Sequence, residues 1–178
     1  INAENRIYTG IHYFYEYGTE LFELKPQPVL YFAHNGQKWD FKMGAFPRNE
    51  SFELPQAMLS QRYGYYEPNV EGLFFKYKAE KSAFSIFADW IGRQDTLRRE
   101  QFMAGVIGTQ QAGNFLFEEY WYMFHNAKYI IPKPGVFIDD YTGALLLAGY
   151  DFSSFLPLDI FTVKAGALVS AFRNRGQG

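Results

Sequence analysis

The side chains of this chain best suited to chemistry are three histidines, a few carboxylates and a scatter of basic residues. His12, His34 and His125 stand far apart, with no i, i+4 pair and no glutamate motif beside them, so no zinc signature exists. Cysteine is absent, which removes disulfides, thiolate metal sites and thiol nucleophiles. No glycine-rich phosphate loop and no Gly-x-Ser-x-Gly elbow occurs. Asp139 and Asp140 could bind a hard cation, although adjacent loop carboxylates are more commonly just solvated. A glycoside hydrolase would need two carboxylates facing across a groove, and the midstrand candidates are Glu118 or Glu119 with Asp89. Neighbours in a strand point to opposite faces, so at most one of that glutamate pair can serve. The expectation is a protein that is not an enzyme, with no metal and no cofactor.

The elements that would position these residues follow from composition and periodicity. The chain has 178 residues, 48% hydrophobic and 20% charged, which excludes an intrinsically disordered chain and leads to one domain, 1–178. Its net charge of -2 gives no electrostatic case for a nucleic-acid partner. The chain opens on Ile1, with neither an initiator Met nor a signal-peptide pattern, which reads as a processed, trimmed or partial chain. No apolar run approaches the roughly 20 residues of a spanning helix, but barrel strands cross with about 9 to 11 alternating residues.

Alternation is what the chain shows. Trp39, Phe41, Met43 and Ala45 alternate with Lys38, Asp40, Lys42 and Gly44, and Phe161, Val163, Ala165, Ala167, Val169 and Ala171 form one apolar row opposite Thr162, Lys164, Gly166 and Ser170. Strands are expected at 5–17, 27–34, 37–47, 68–79, 83–92, 99–109, 113–125, 143–153 and 158–174, with a short helix near 54–61. Long connections alternate with tight ones, beginning with a loop through Leu21 and Leu24 and the Asn35-Gly36 turn. In an up-and-down antiparallel meander this gathers the tight turns at one rim and the long loops at the other, the asymmetry of outer-membrane barrels. The fold class is therefore all-β, an outer-membrane β-barrel or a portion of one.

Aromatic residues make up 20% of the chain. The meander carries Tyr15, Tyr17, Trp90, Tyr120, Trp121 and Tyr122 to the long-loop end, where a membrane interface favours rings with a wet polar tip. Arg93, Asp95, Arg98, Arg99 and Glu100 cluster beside Asp89 around one loop, either as a charged mouth or as a hairpin tip kept soluble by paired charges. Lys38, Lys42, Lys76, Lys78 and Lys164 outnumber Asp40 and Asp89 on the face opposite the apolar one. If that face lines a lumen, it favours anionic solutes.

The stretches Met43-Gly44-Ala45-Phe46-Pro47-Arg48, Tyr65-Tyr66-Glu67-Pro68-Asn69-Val70-Glu71-Gly72, Asp89-Trp90-Ile91-Gly92-Arg93-Gln94 and Arg99-Glu100-Gln101-Phe102 resemble porin-type outer-membrane β-barrel proteins of Bacteroidota. The resemblance implies passive passage of small polar solutes through the outer membrane of a Gram-negative bacterium. Outer-membrane lipid would be the partner, and a homo-oligomer is compatible. The odd strand count and the absence of a terminal aromatic residue suggest a portion of a larger barrel. A soluble β-sandwich or jelly-roll that stacks glycans on exposed Tyr and Trp is the alternative.

Overall fold

The computed structural model describes residues 4–18, 20, 26–59, 61–155 and 157–176. These form one nine-stranded antiparallel sheet in which order in the chain is also order in space. The strands are β1 (Asn5–His12), β2 (Gln27–Asn35), β3 (Trp39–Pro47), β4 (Asn69–Ala79), β5 (Ser82–Gly92), β6 (Gln101–Ala112), β7 (Phe115–Asn126), β8 (Asp139–Asp151) and β9 (Thr162–Asn174). β1 and β9 are the edges and do not pair, so the sheet is not closed. Among the described residues, helix is confined to α1 (Gln61–Tyr66) and a 3-10 turn at Ser153–Phe155.

The expected all-β meander is present, with shifts at strand ends that have local causes. β1 stops at His12, because β2 begins opposite it at Gln27 and residues 13–16 have no ladder partner. β8 starts at Asp139, where a loop was expected, because Asp139 and Asp140 pair across to Asn126 and His125 on one side and to Asn174 and Arg173 on the other. The short helix expected near 54–61 is a turn closed by Met58 and Leu59 N–H donating to the Pro55 carbonyl, and α1 follows it. The loop expected through Leu21 and Leu24 lies outside the described residues.

Register sorts the side chains onto two faces, since directly paired residues share a face. One face carries Leu30, Met43, Leu73, Ile86, Trp121, Leu146 and Val169, all exposed, as an apolar band running across the strands. The opposite face holds the core, where Tyr31, Phe46, Val70, Phe74, Phe87 and Met103 are buried. That inner face is covered by the 48–67 loop, which places Phe52, Leu54 and Met58 among the buried residues. Phe52 stacks on Phe87 at 3.9 Å between ring centroids. Gly105 makes room for this pair, because a Cβ there would meet the Phe87 ring. Gly44 lies midstrand at φ +120°, and a Cβ there would run into the Leu30 carbonyl.

Candidate active site

At the long-loop rim, one register row crosses five strands on the outer face, through Trp90, Phe102, His125, Asp140 and Arg173. Trp90 stacks on Phe102 at 5.5 Å, and Phe102 lies against the His125 ring at 4.8 Å. His125 Nδ1 is 2.6 Å from Asp140 Oδ1, and Arg175 Nε donates to Asp140 Oδ2 at 2.7 Å. A carboxylate can only accept, so Nδ1 carries the hydrogen and Nε2 is left with its lone pair when the ring is neutral. This is the one histidine–carboxylate contact among the described residues.

The surrounding loop is held as firmly as the dyad. Arg99 pairs with Asp139 at 2.8 Å and donates to the carbonyls of Asn126, Ala127 and Phe137, tying both ends of the 127–138 loop. Asn174 donates to the other Asp139 oxygen. Asp139 and Asp140 are thus occupied by protein donors, and the described residues bring no three His, Cys, Asp or Glu side chains together in a metal-binding group. All four carboxylate oxygens of the pair are engaged in this way, so neither residue offers the open ligands a hard cation would need.

A second histidine stands at an inner-face cleft of about 390 Å³ at the same rim, lined by His12, Arg48, Asn49, Glu53 and Gln56. His12 makes no hydrogen bond to a carboxylate among the described residues, so nothing orients its ring for proton transfer. His34 Nδ1 meets the Asn5 side chain, an amide that cannot stabilise an imidazolium as a carboxylate does.

Of the residues expected to line a lumen, Asp40, Lys42, Lys78, Asp89 and Lys164 face inward and are committed to protein partners. Asp89, 1% exposed, pairs with Arg48, 5% exposed, at 2.6 Å and accepts the Glu71 N–H. Lys42 is buried and, through the Glu50 carbonyl and Ser51 hydroxyl, props the 48–67 loop that plugs the inner face. Lys78 pairs with Asp40, and Lys164 with Glu118. Lys76 lines a hollow beneath the loop with Glu50, Glu53 and Tyr120, and Lys38 sits in the turn before β3. Glu119 is on the outer face and Asp89 is locked to Arg48, so the carboxylates weighed for glycoside hydrolysis do not face one another across a groove.

Nor is the charged loop a single cluster. Asp95 accepts the N–H groups of Leu97 and Arg98, which hold its carboxyl below the ordinary range. Glu100 accepts from Trp90 Nε1, while Arg93 and Arg98 are exposed. Among the aromatics placed at an outer belt, Trp90 and Trp121 are on the outer face. Tyr120 and Tyr122 alternate inward and pack against the core, which corrects their assignment to the interface. Tyr15 and Tyr17 fall beyond β1, in contact with each other.

The dyad was missed because His125 and Asp140 are fifteen positions apart and no spacing rule joins them. The signal available was topological, two strands flanking one long loop, with a histidine ending the first and a carboxylate starting the second.

Residues 1–129 match the model of a family described as Lipid A 3'-O-deacylase-type, a stretch that contains His125 and ends before Asp140, Arg173 and Arg175. No curated protein and no solved structure matches the chain. The match overturns the porin-type resemblance, the passive-pore function with its transport role, and the expectation of a protein that is not an enzyme, because the family is of an enzyme type. It gives no support to the glycan-binding sandwich either. Of the expected localisation, the coarser part stands, since a family named for lipid A belongs with the Gram-negative cell envelope. No helix among the described residues is long and apolar enough to cross a membrane, which says nothing of strands.

Proposed function

The chain belongs to the lipid A 3'-O-deacylase-type family, and from that premise we propose that it hydrolyses an ester-linked acyl chain of lipid A at the outer-membrane surface, with His125 as general base. The observation that carries this reading is the position of the His125–Asp140 pair, at the long-loop rim on the apolar outer face. Long loops of outer-membrane barrels face outward, and an outer face of Leu, Ile, Val and Trp suits acyl chains. The ester of a membrane lipid lies where the apolar band gives way to polar residues, which is the level of this row. Outer-membrane lipid is then both surroundings and substrate.

In the proposed reaction, His125 Nε2 takes a proton from a water molecule as the water oxygen attacks the ester carbonyl. Among the described residues no serine or threonine hydroxyl hydrogen-bonds the ring, so water is the nucleophile. Asp140 holds the tautomer and stabilises the imidazolium, and Arg175 fixes the carboxylate that does so. The tetrahedral intermediate collapses with cleavage of the bond to the sugar oxygen, and His125 returns its proton to that oxygen. The products are a free fatty acid and a sugar hydroxyl.

Mass spectrometry of lipid A incubated with the chain in detergent micelles tests the reading. Loss of a single acyl chain is expected, and His125→Ala lowers the rate by roughly 10²- to 10⁴-fold, the usual contribution of a positioned base. Absence of fatty-acid release by the unaltered chain, or a His125→Ala variant as fast as its parent, would overturn it.

A further inference from the structure

Asp140 has a cross-strand arginine, Arg173, directly opposite on β9, yet its two oxygens are taken by His125 and by Arg175, which reaches back from beyond the strand. Arg173 is exposed and makes no ion pair or hydrogen bond among the described residues. It stands at the upper end of the apolar row Val163, Ala165, Ala167, Val169 and Ala171, on the same face. The charges of Arg173, Arg175 and Asp140 sum to +1 with His125 neutral, so the row carries an uncompensated cation beside the dyad.

We propose that Arg173 is a specificity-determining residue of this site, binding a phosphate monoester carried by the acylated glycolipid. The proposal rests on the reading that the dyad hydrolyses such a lipid, and names the group by which the lipid is chosen. Two strand spacings separate Arg173 from His125, roughly 10 Å between backbones, a separation that a disaccharide headgroup spans. Arginine suits the task because its planar fork donates in pairs to phosphate oxygens. An arginine that merely meets the general lipid surface would lack this link to the reaction, since any anionic lipid would serve it equally.

The test uses the whole chain in neutral detergent micelles, with lipid A and the same lipid after phosphatase treatment as paired probes. For the unaltered chain, kcat/KM favours the phosphorylated lipid. Arg173→Gln raises KM for that lipid roughly tenfold with kcat held, so the preference collapses, and Arg173→Lys recovers part of it. A binding arm uses the His125→Ala chain, with Trp fluorescence reporting affinity for each lipid with and without Arg173→Gln. Hydrolysis whose phosphate preference ignores Arg173 overturns this proposal and leaves the deacylase reading standing. No hydrolysis, together with a phosphate preference in binding that Arg173→Gln removes, overturns the deacylase reading and retains Arg173 as the phosphate contact of a lipid-binding site. Binding and turnover both indifferent to phosphate reject the assignment of Arg173.

Discussion

Replacing Arg48 by Met is expected to loosen the plug loop without unfolding the sheet. Arg48 Nε and Nη2 donate to the carbonyls of Glu67 and Asn69 and to Asp89, and its guanidinium lies over the rings of Phe52 and Tyr63. Without it, Asp89 keeps only the Glu71 N–H inside the core. Breaking a buried pair by removing one partner costs about 3 to 5 kcal/mol. Burial of Phe52, Leu54 and Met58 contributes about 1.5 to 3 kcal/mol each. The loop therefore stays seated on average but opens more often, by a factor on the order of 10² to several thousand at 1.36 kcal/mol per decade. Chymotrypsin cleavage at Phe52 or Leu54 reads that opening when closing outpaces cutting. The double variant Arg48→Met with Asp89→Leu leaves neither member of the pair as an unpaired buried charge and should return most of the protection. A single variant cut no faster than its parent, or a double variant cut faster than the single, would refute the view that this ion pair locks the loop.

Two further outcomes follow from the faces and the loop. Ala167→Lys, on the apolar outer face, should cost roughly 2 to 4 kcal/mol of stability in lipid vesicles, whereas Ser170→Lys, on the opposite face, should cost far less; equal costs, measured by urea titration, would show that the outer face does not meet lipid. Burial pushes the Glu67 carboxyl above its ordinary value of 4.5, with Arg48 opposing the shift. The folded state then binds the proton more readily than the unfolded one, so loop protection should strengthen as pH falls from the raised value toward 4.5 and weaken as pH rises. Proteolysis of Glu67→Gln should lose this slope, and a slope unchanged in that variant would count against Glu67 as its source.

The strands were legible in the sequence because a period of two is local. Trp39 to Ala45 and Phe161 to Ala171 declare a buried or lipid face by alternation alone, and Asn35-Gly36 closes its hairpin by turn chemistry. Even the inward direction of Lys42, Lys78 and Lys164 is contained in that alternation. What those lysines touch is not, since Lys164 meets Glu118 across 46 positions and Lys42 meets a loop folded back over the sheet. The same limit hid the plug: Arg48 and Asp89 are 41 positions apart, and nothing in either neighbourhood marks two charges that will leave water together. Alternation without that loop reads as a wet, lysine-lined channel, whereas the loop fills the inner face with Phe52, Leu54 and Met58. The dyad is the sharpest case. His125 and Asp140 become neighbours only because β7 and β8 pair in one particular register, and a slip of a single residue would send one of them to the other face. Sequence determined the strands and their two faces, because successive side chains in a strand point to opposite sides and the apolar/polar alternation that follows is a local pattern. Tertiary structure decided which charges neutralise one another and which histidine gained a carboxylate, because those depend on register and loop placement, which no local pattern encodes.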